Sequence, residues 1–275
     1  MLYLTYTPGP PLSNFVELFW LYEGYSQPHK KERIMPDGSM QIVINLLEDE
    51  LRIYHPENPE QSDVFRGALF AGPRSAFGII DTASQASLIG IQFKPGGASP
   101  FLKMPLSELQ NVDLSLECLW GSRGQDIRNR LLEASTPEAK IRIFGRCLEE
   151  QTVRSLDRHR AVARALELIQ GTVSGLPVGA LADEIGIGRR RLIQVFSDEI
   201  GITPKLFCRI HRFQSVLRDL QKCSERDVDW TDIALDHGYF DQAHFNHDFR
   251  TFSGITPGSY LKRRTSHLNH VPLLD

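Results

Sequence analysis

The chain has 275 residues, 41% of them hydrophobic, with 31 Lys and Arg against 34 Asp and Glu and a formal net charge of −3. That length suggests about two domains, and the composition excludes a disordered or fibrous protein. A strongly basic chain is excluded as well: residues 1–155 carry fifteen basic against nineteen acidic groups and residues 156–275 sixteen against fifteen, so any case for nucleic-acid binding rests on local placement.

Cys118, Cys147, Cys208 and Cys223 have no short pair spacing, which argues against a zinc site and a disulfide scaffold and fits a reducing cytoplasm. The opening MLYLTYTPGPPLS lacks a basic start followed by an apolar run, so neither export nor membrane insertion is expected.

Residues 3–7, 18–23, 40–46, 51–54, 69–72, 77–80 and 86–93 are short apolar or alternating runs separated by turn residues, the pattern of a small barrel or sandwich. Ser13 is a candidate cap for a short helix over 13–18. Asp37 and Gly38 form a turn feeding the strand at 40–46. Lys94-Pro95-Gly96-Gly97 closes the β region, set at 1–98. From 100 to 152 the pattern turns helical, with Ile127, Leu131 and Leu132 in one helix over 124–133 and Ile141, Phe144 and Leu148 on one face of another that Pro137 opens. This reads as a helical connector or dimer element, and the whole of 1–152 as a sensory and dimerisation domain.

His29 and His55 are the only histidines of that half, too few for a metal-dependent barrel enzyme, so no catalytic residue, no metal and no cofactor is expected. Trp20, with Phe19, Tyr22 and Tyr25, lines an apolar pocket or simply packs a core; Asp37 is first a turn residue and secondarily a pocket group; Arg74 meets an anionic effector or forms an ion pair.

Residues 158–264 contain a duplication. Gly201-Ile202-Thr203-Pro204 returns as Gly254-Ile255-Thr256-Pro257, 53 residues later, and the same offset relates Leu192 to Phe245, Phe196 to Phe249 and Phe207 to Tyr260. Ala182 and Gly186 match Ala234 and Gly238 at an offset of 52, one fewer, because the turn after Gly238 is one residue longer than the turn after Gly186. Each copy reads as a helix, a tight turn and a second helix, with Asp241 capping the last of these in the second copy. Leu192 and Phe196 face inward in the first copy and leave Arg189, Arg190, Ile193 and Gln194 outside; Phe245 and Phe249 do so in the second and leave Gln242, Ala243, Asn246 and His247 outside. His244 and His247 have the spacing of a metal pair, but their place on an outward helix beside an inward Phe245 speaks against it. Between the copies, a helix from Pro204 to about Gln221, capped by Thr203, spans roughly 27 Å, near enough to the ~34 Å major-groove repeat to seat two reading helices on one duplex.

With Gly-Tyr-Phe-Asp-Gln-Ala-His-Phe-Asn-His-Asp-Phe at 238–249 and Phe-Ser-Gly-Ile-Thr-Pro before Tyr260, this half resembles the AraC/XylS family of transcription regulators. The resemblance implies about seven helices, sequence-specific double-stranded promoter DNA and RNA polymerase as partners, and no catalysis here. His247 and Gln194 stand where the family commonly has arginine, which leaves the preferred DNA sequence open. Residues 1–150, through Arg-Ile-Met-Pro-Asp-Gly and Phe-Lys-Pro-Gly-Gly-Ala, resemble an uncharacterised domain found before such DNA-binding domains; that likeness implies no known ligand.

The expectation is therefore an α+β chain of two domains: a mainly-β N-terminal domain with its connector, an all-α tandem helix-turn-helix domain over 158–264, and a tail at 265–275. It is a cytoplasmic transcription regulator in which Arg189, Arg190, Ile193, Gln194, Gln242, Ala243, Asn246 and His247 touch bases. Lys205, Arg209, Lys262, Arg263 and Arg264 touch phosphates, and a small-molecule effector or a homodimer partner acts through the first half. Two rival readings stand beside it: a small-molecule-processing β-domain enzyme fused to a DNA-binding tail, and a protein-interaction module on degenerate helix-turn-helix units.

Overall fold

The computed structural model describes residues 2–24, 26, 28–82, 85–172, 176–224 and 228–273. Its first half is built on β1 (Leu2–Tyr6), β2 (Val16–Glu23), β3 (Lys31–Ile34), β4 (Met40–Asn45), β5 (Leu51–His55), β6 (Asn58–Phe65), β7 (Ala68–Ala71), β8 (Gly78–Asp81), β9 (Ser87–Phe93) and β10 (Asp113–Ser115). One sheet has the order β1-β2-β9-β4-β7-β10. The other has β3-β8-β5-β6, with one further strand from the end of the chain at its β3 edge.

Alternation along β2 assigns its two faces. Phe19 and Leu21 turn outward from the sandwich, and Leu18, Trp20 and Tyr22 turn toward the second sheet. Trp20 lies flat on the neighbouring strand because residue 90 is glycine; a Cβ there would collide with the indole ring. On the outward face pack α1 (Leu116–Trp120), α2 (Ser122–Glu133) and α3 (Pro137–Glu150), whose Ile127, Leu131, Ile141, Phe144 and Leu148 share one core with Phe19, Phe70 and Phe93. Thr136 starts α3 by accepting from the Ala139 N–H at 3.2 Å, with Pro137 in the first turn. The residues expected as a helical connector or dimer element thus cover the sheet.

The second half contains α4 (Arg160–Gln170), α5 (Val178–Ile185), α6 (Arg189–Ile200), α7 (Pro204–Leu220), α8 (Trp230–Asp236), α9 (Gln242–Ser253) and α10 (Pro257–Arg263), followed by β11 (His270–Pro272). Their apolar faces meet in a second core that includes Leu192, Phe196, Phe213, Phe245, Phe249 and Tyr260. Thr203, Asp241 and Thr256 cap α7, α9 and α10 through their side-chain oxygens.

Several expectations need correction. No helix starts at Ser13: Leu12–Asn14 is one 3-10 turn without a side-chain cap, and Val16 already pairs with Phe93 on β9. β3, β6, β10 and β11 were absent from the strand pattern. β6 is an edge strand with mostly exposed polar residues, and β3 is short and charged, so neither carries an apolar signal. The stretch expected as a tail enters the N-terminal half instead, with His270 opposite Ile34, Val271 opposite Arg33 and Pro272 opposite Glu32. Tyr25, named among the pocket aromatics, lies outside the described residues.

Candidate nucleic-acid interface

In the first helix-turn-helix, Ala182 is buried where α5 crosses α6, and Gly186 takes φ +77°, the left-handed conformation that ends α5. On α6 the inward side is Leu192, Val195, Phe196 and Ile200. Arg189, Arg190 and Gln194 are exposed and Ile193 is half-buried. The first turn of α6 holds three arginines and no side-chain cap at Gly188, so cations crowd a helix end whose free N–H groups favour an anion. An anion outside would offset that arrangement.

The second unit repeats the plan. Ala234 is buried in α8, and Asp241 accepts from the His244 N–H at 2.7 Å to start α9. Phe245, Phe249 and Phe252 point inward, while Gln242, Ala243 and His247 are exposed and Asn246 is half-buried. Ala243, Asn246, His247, Arg250 and Thr251 line a shallow open depression. His244 places Nδ1 3.4 Å from the Phe240 N–H, and among the described residues no three His, Cys, Asp or Glu gather as a metal site.

The five cations expected at phosphates divide. Lys205 and Lys262 are exposed and Arg263 half-buried. Arg209 is engaged inside the protein: its Nη2 and Nε donate to the buried Asp248 carboxylate at 2.7 and 3.3 Å, and its guanidinium lies 5.1 Å from the Phe252 ring centre. Arg264 is likewise turned inward, with Nη2 donating to the Cys223 carbonyl at 2.9 Å and Nη1 buried. Both guanidinium groups are thus engaged inside the protein rather than free at the surface like Lys205 and Lys262. Arg209 instead fixes α9 to α7, which no spacing in the sequence signals: Asp248 lies 39 residues away.

The N-terminal candidates gather at one cavity of about 310 Å³ between the two sheets, within the ~300–1,000 Å³ range of small-molecule sites. Trp20, Asp37 and Arg74 all line it; Phe19 does not, because it belongs to the opposite face of β2. Asp37 accepts from the Ser39 N–H at 2.8 Å, closing the turn, and Gly38 takes φ +80° beneath the Phe207 ring. Arg74 donates to Asp113 at 2.6 Å, so the ion pair expected as one alternative exists and sits at the cavity wall. Burial pushes the Asp113 carboxyl above its ordinary value, against the opposing pull of Arg74.

Residues that sequence reasoning passed over also reach this cavity: His267, Asn269 and His270, from the segment following α10. One signal was available for their partner. Gln214 is a polar residue on an otherwise apolar face of α7, and it is buried, donating to the Pro36 carbonyl and to Asn269 Oδ1 at 2.8 Å each.

The two halves touch at more than this point. The C-terminal end of α6 abuts the first half, where Ser107 donates to Asp198 at 3.1 Å and a Cβ on Gly201 would press on Pro73. Arg158 donates to the Pro95 carbonyl at 2.8 Å. The arginine-bearing first turns of α6 stay outside that contact.

Residues 4–115 match a domain of unknown function (DUF6597), and residues 181–263 match a helix-turn-helix domain. An uncharacterised HTH-type transcriptional regulator of Haemophilus influenzae is 24% identical over 181 residues, 66% of this chain and 57% of that protein. The probable transcription factor PqrA of Proteus vulgaris is 28% identical over 96 residues, 35% of this chain and 76% of that protein. The chain thus spans little more than half of the first relative. Among solved structures, ToxT from Vibrio cholerae O395, bound to (E)-4-(8-methylnaphthalen-1-yl)but-3-enoic acid, aligns over 89% of this chain and 98% of its own with a TM-score of 0.50 and 11% identity, a likeness of fold.

Proposed function

We propose that this chain, which belongs to the AraC/XylS family of transcription regulators, reads one promoter duplex with α6 and α9 in two successive major-groove segments, under the control of a small molecule bound in its N-terminal half. The observation that carries the DNA reading is the pair of outward helix faces. Each stands opposite a buried aromatic or aliphatic face, and the two are held by one 17-residue helix, α7. At ~1.5 Å per residue that strut is roughly 26 Å long, comparable with the ~34 Å groove repeat.

In this reading Arg189 and Arg190 meet guanine edges or phosphates, Gln194, Gln242 and Asn246 suit adenine, and Ile193 and Ala243 suit a thymine methyl. His247 reads an acceptor. Lys205, Lys262 and Arg263 neutralise phosphates, so affinity falls as salt rises. Arg209 and Arg264 act behind the surface, keeping α9 and α10 at the angle that the contact needs.

The cavity supports the control element: its apolar wall of Trp20, Leu69 and Leu88 and its polar groups Asp37 and Arg74 are those of an effector site. RNA polymerase and a second copy of the chain are further partners of this reading, and the work of the protein is recognition rather than chemistry. Footprinting the purified protein across its own genome, with and without candidate metabolites, tests it. Protected sites of about two helical turns that shift with a metabolite are expected; protection with no preferred sequence at any salt would overturn the reading.

A further inference from the structure

The segment after α10 is tied to both halves of the molecule. At the DNA-binding half, Gln221 donates to the Thr265 carbonyl at 3.1 Å and the Tyr260 hydroxyl donates to the Leu268 carbonyl at 3.1 Å. Burial holds the Tyr260 phenol up at about 12, so it stays a donor. Val271 is buried in the core of the DNA-binding half. At the N-terminal half, β11 pairs with β3, the Met35 N–H donates to the Asn269 carbonyl at 2.9 Å, and the Leu273 N–H donates to the Lys31 carbonyl at 2.9 Å. Gln214 of α7 bridges the two through Pro36 and Asn269.

Side-chain alternation gives this short strand two jobs. Val271 faces the helical core, while His270 faces the sandwich, where its Nδ1 lies 2.9 Å from the Glu32 carboxylate. Glu32 is almost fully buried and also meets His29 Nε2 at 2.6 Å, so a carboxylate that water cannot reach depends on this segment for one of its partners. Upstream, the His267 ring stands edge-on to Tyr3 and Tyr22, both centroids 6.4 Å away, and these two tyrosines stack on each other at 4.4 Å. His267, Asn269 and His270 thereby close one side of the cavity whose other walls are the two sheets.

We infer that residues 267–273 are a detachable wall of this cavity. A small amphipathic molecule, with an apolar ring or chain against Trp20 and a hydrogen-bonding end, is held jointly by the sandwich and by this segment of the DNA-binding half, and its binding tightens the pairing of β11 with β3. The inference rests on the effector reading of the cavity and adds the element that carries its occupancy to the helices. The physical reason is linkage. A three-residue edge strand is a weakly held unit, and a ligand that touches it only in its paired state stabilises that state by its differential affinity. The effect is reciprocal: whatever loosens the strand weakens the ligand. Through Gln214, Tyr260 and Val271, pairing also fixes α7 and α10, which orient the two reading helices.

The test uses the full chain and anilinonaphthalene sulfonate, a fluorescent probe with apolar rings and a polar end. Saturable binding is expected, with at least a tenfold loss in Val43→Trp, which fills the cavity from β4. Hydrogen exchange over 265–273 should slow at least tenfold with saturating probe. Asn269→Ala, which removes the Gln214 contact and leaves the backbone pairing intact, should weaken the probe about fivefold and speed exchange in the same segment; His270→Gln serves if that variant does not fold. Saturable, cavity-dependent binding with unchanged exchange and wild-type affinity in both variants overturns the detachable wall and leaves the effector reading standing. Absence of saturable binding, or equal binding by Val43→Trp, overturns both.

Discussion

Asp248 sits almost sealed between α7 and α9, and a carboxylate there must be met by donors or it destabilises the fold. Arg209 meets it with two hydrogen bonds. Arg209→Met is therefore expected to destabilise the helical half by on the order of 2–3 kcal/mol, because it strands the carboxylate. The slope of log affinity against log salt should stay as in the parent when DNA binding is measured well below the new melting point. Lys262→Ala should do the reverse, leaving the melting temperature unchanged and lowering the slope by about one. The charge pattern alone made both residues look alike, and the difference lies in a partner 39 positions away that no local rule exposes.

A second expectation at this scale concerns His237, buried in the second helix-turn-helix beside Asp219. Burial holds its pKa below the ordinary value, and the nearby Asp219 only partly opposes that. A histidine whose folded pKa is depressed binds more protons unfolded than folded, so stability rises with pH across the interval just below the ordinary value near 6.5. The wild-type protein should lose stability relative to His237→Gln as pH falls from ~7 to ~5.5, read as the difference between their denaturant midpoints. A difference that is constant with pH would remove this assignment.

Among the elements, the helices of the second half were legible by their apolar faces, and α7, α9 and α10 by a cap as well. Thr203, Asp241 and Thr256 precede their helices in the sequence and accept from them in the structure. Asp241→Ala should destabilise α9 by about 1 kcal/mol, and because Asp241 caps the first turn of α9, exchange should quicken at 242–246 before it does in α6. The strands were legible only where they are apolar. β2, β4 and β9 stood out because their residues face a core, whereas the short charged β3 and the polar edge strand β6 take their strand character from the neighbours they pair with. β11 was the least legible of all: its pairing partner lies near residue 33, and such distant matches have no local signature. The candidate reading faces followed from periodicity alone, but the cavity's third wall did not, since His267 and Asn269 carry no motif.

At the scale of the whole molecule, the two halves share more than a linker. The end of α6 rests on the first half through Asp198 and Gly201, Gly38 lies against Phe207 of α7, and β11 completes the second sheet. The first two contacts join α6 and α7, which carry or support the proposed reading faces, to elements near the cavity, and β11 joins the segment after α10 to it, so a change in the sandwich has short physical routes to both faces. Gly201 is the most sensitive of these points: it takes φ +88°, and a Cβ would meet Pro73 at 2.5 Å. Gly201→Ala should destabilise the chain and loosen the docking of α6 together, visible as faster exchange at both 196–200 and 105–109.

In the proposed complex α6 and α9, set by α7, occupy successive groove segments of one duplex. Hydroxyl-radical footprinting of the full protein on a site found in its own genome measures this directly, with Arg190→Ala compared against Gln242→Ala with Asn246→Ala. Each variant should lose protection and base preference over a different half of the site, at about 1–3 kcal/mol per specific contact. Loss over the same half in both cases, or an unchanged footprint in either, would contradict it.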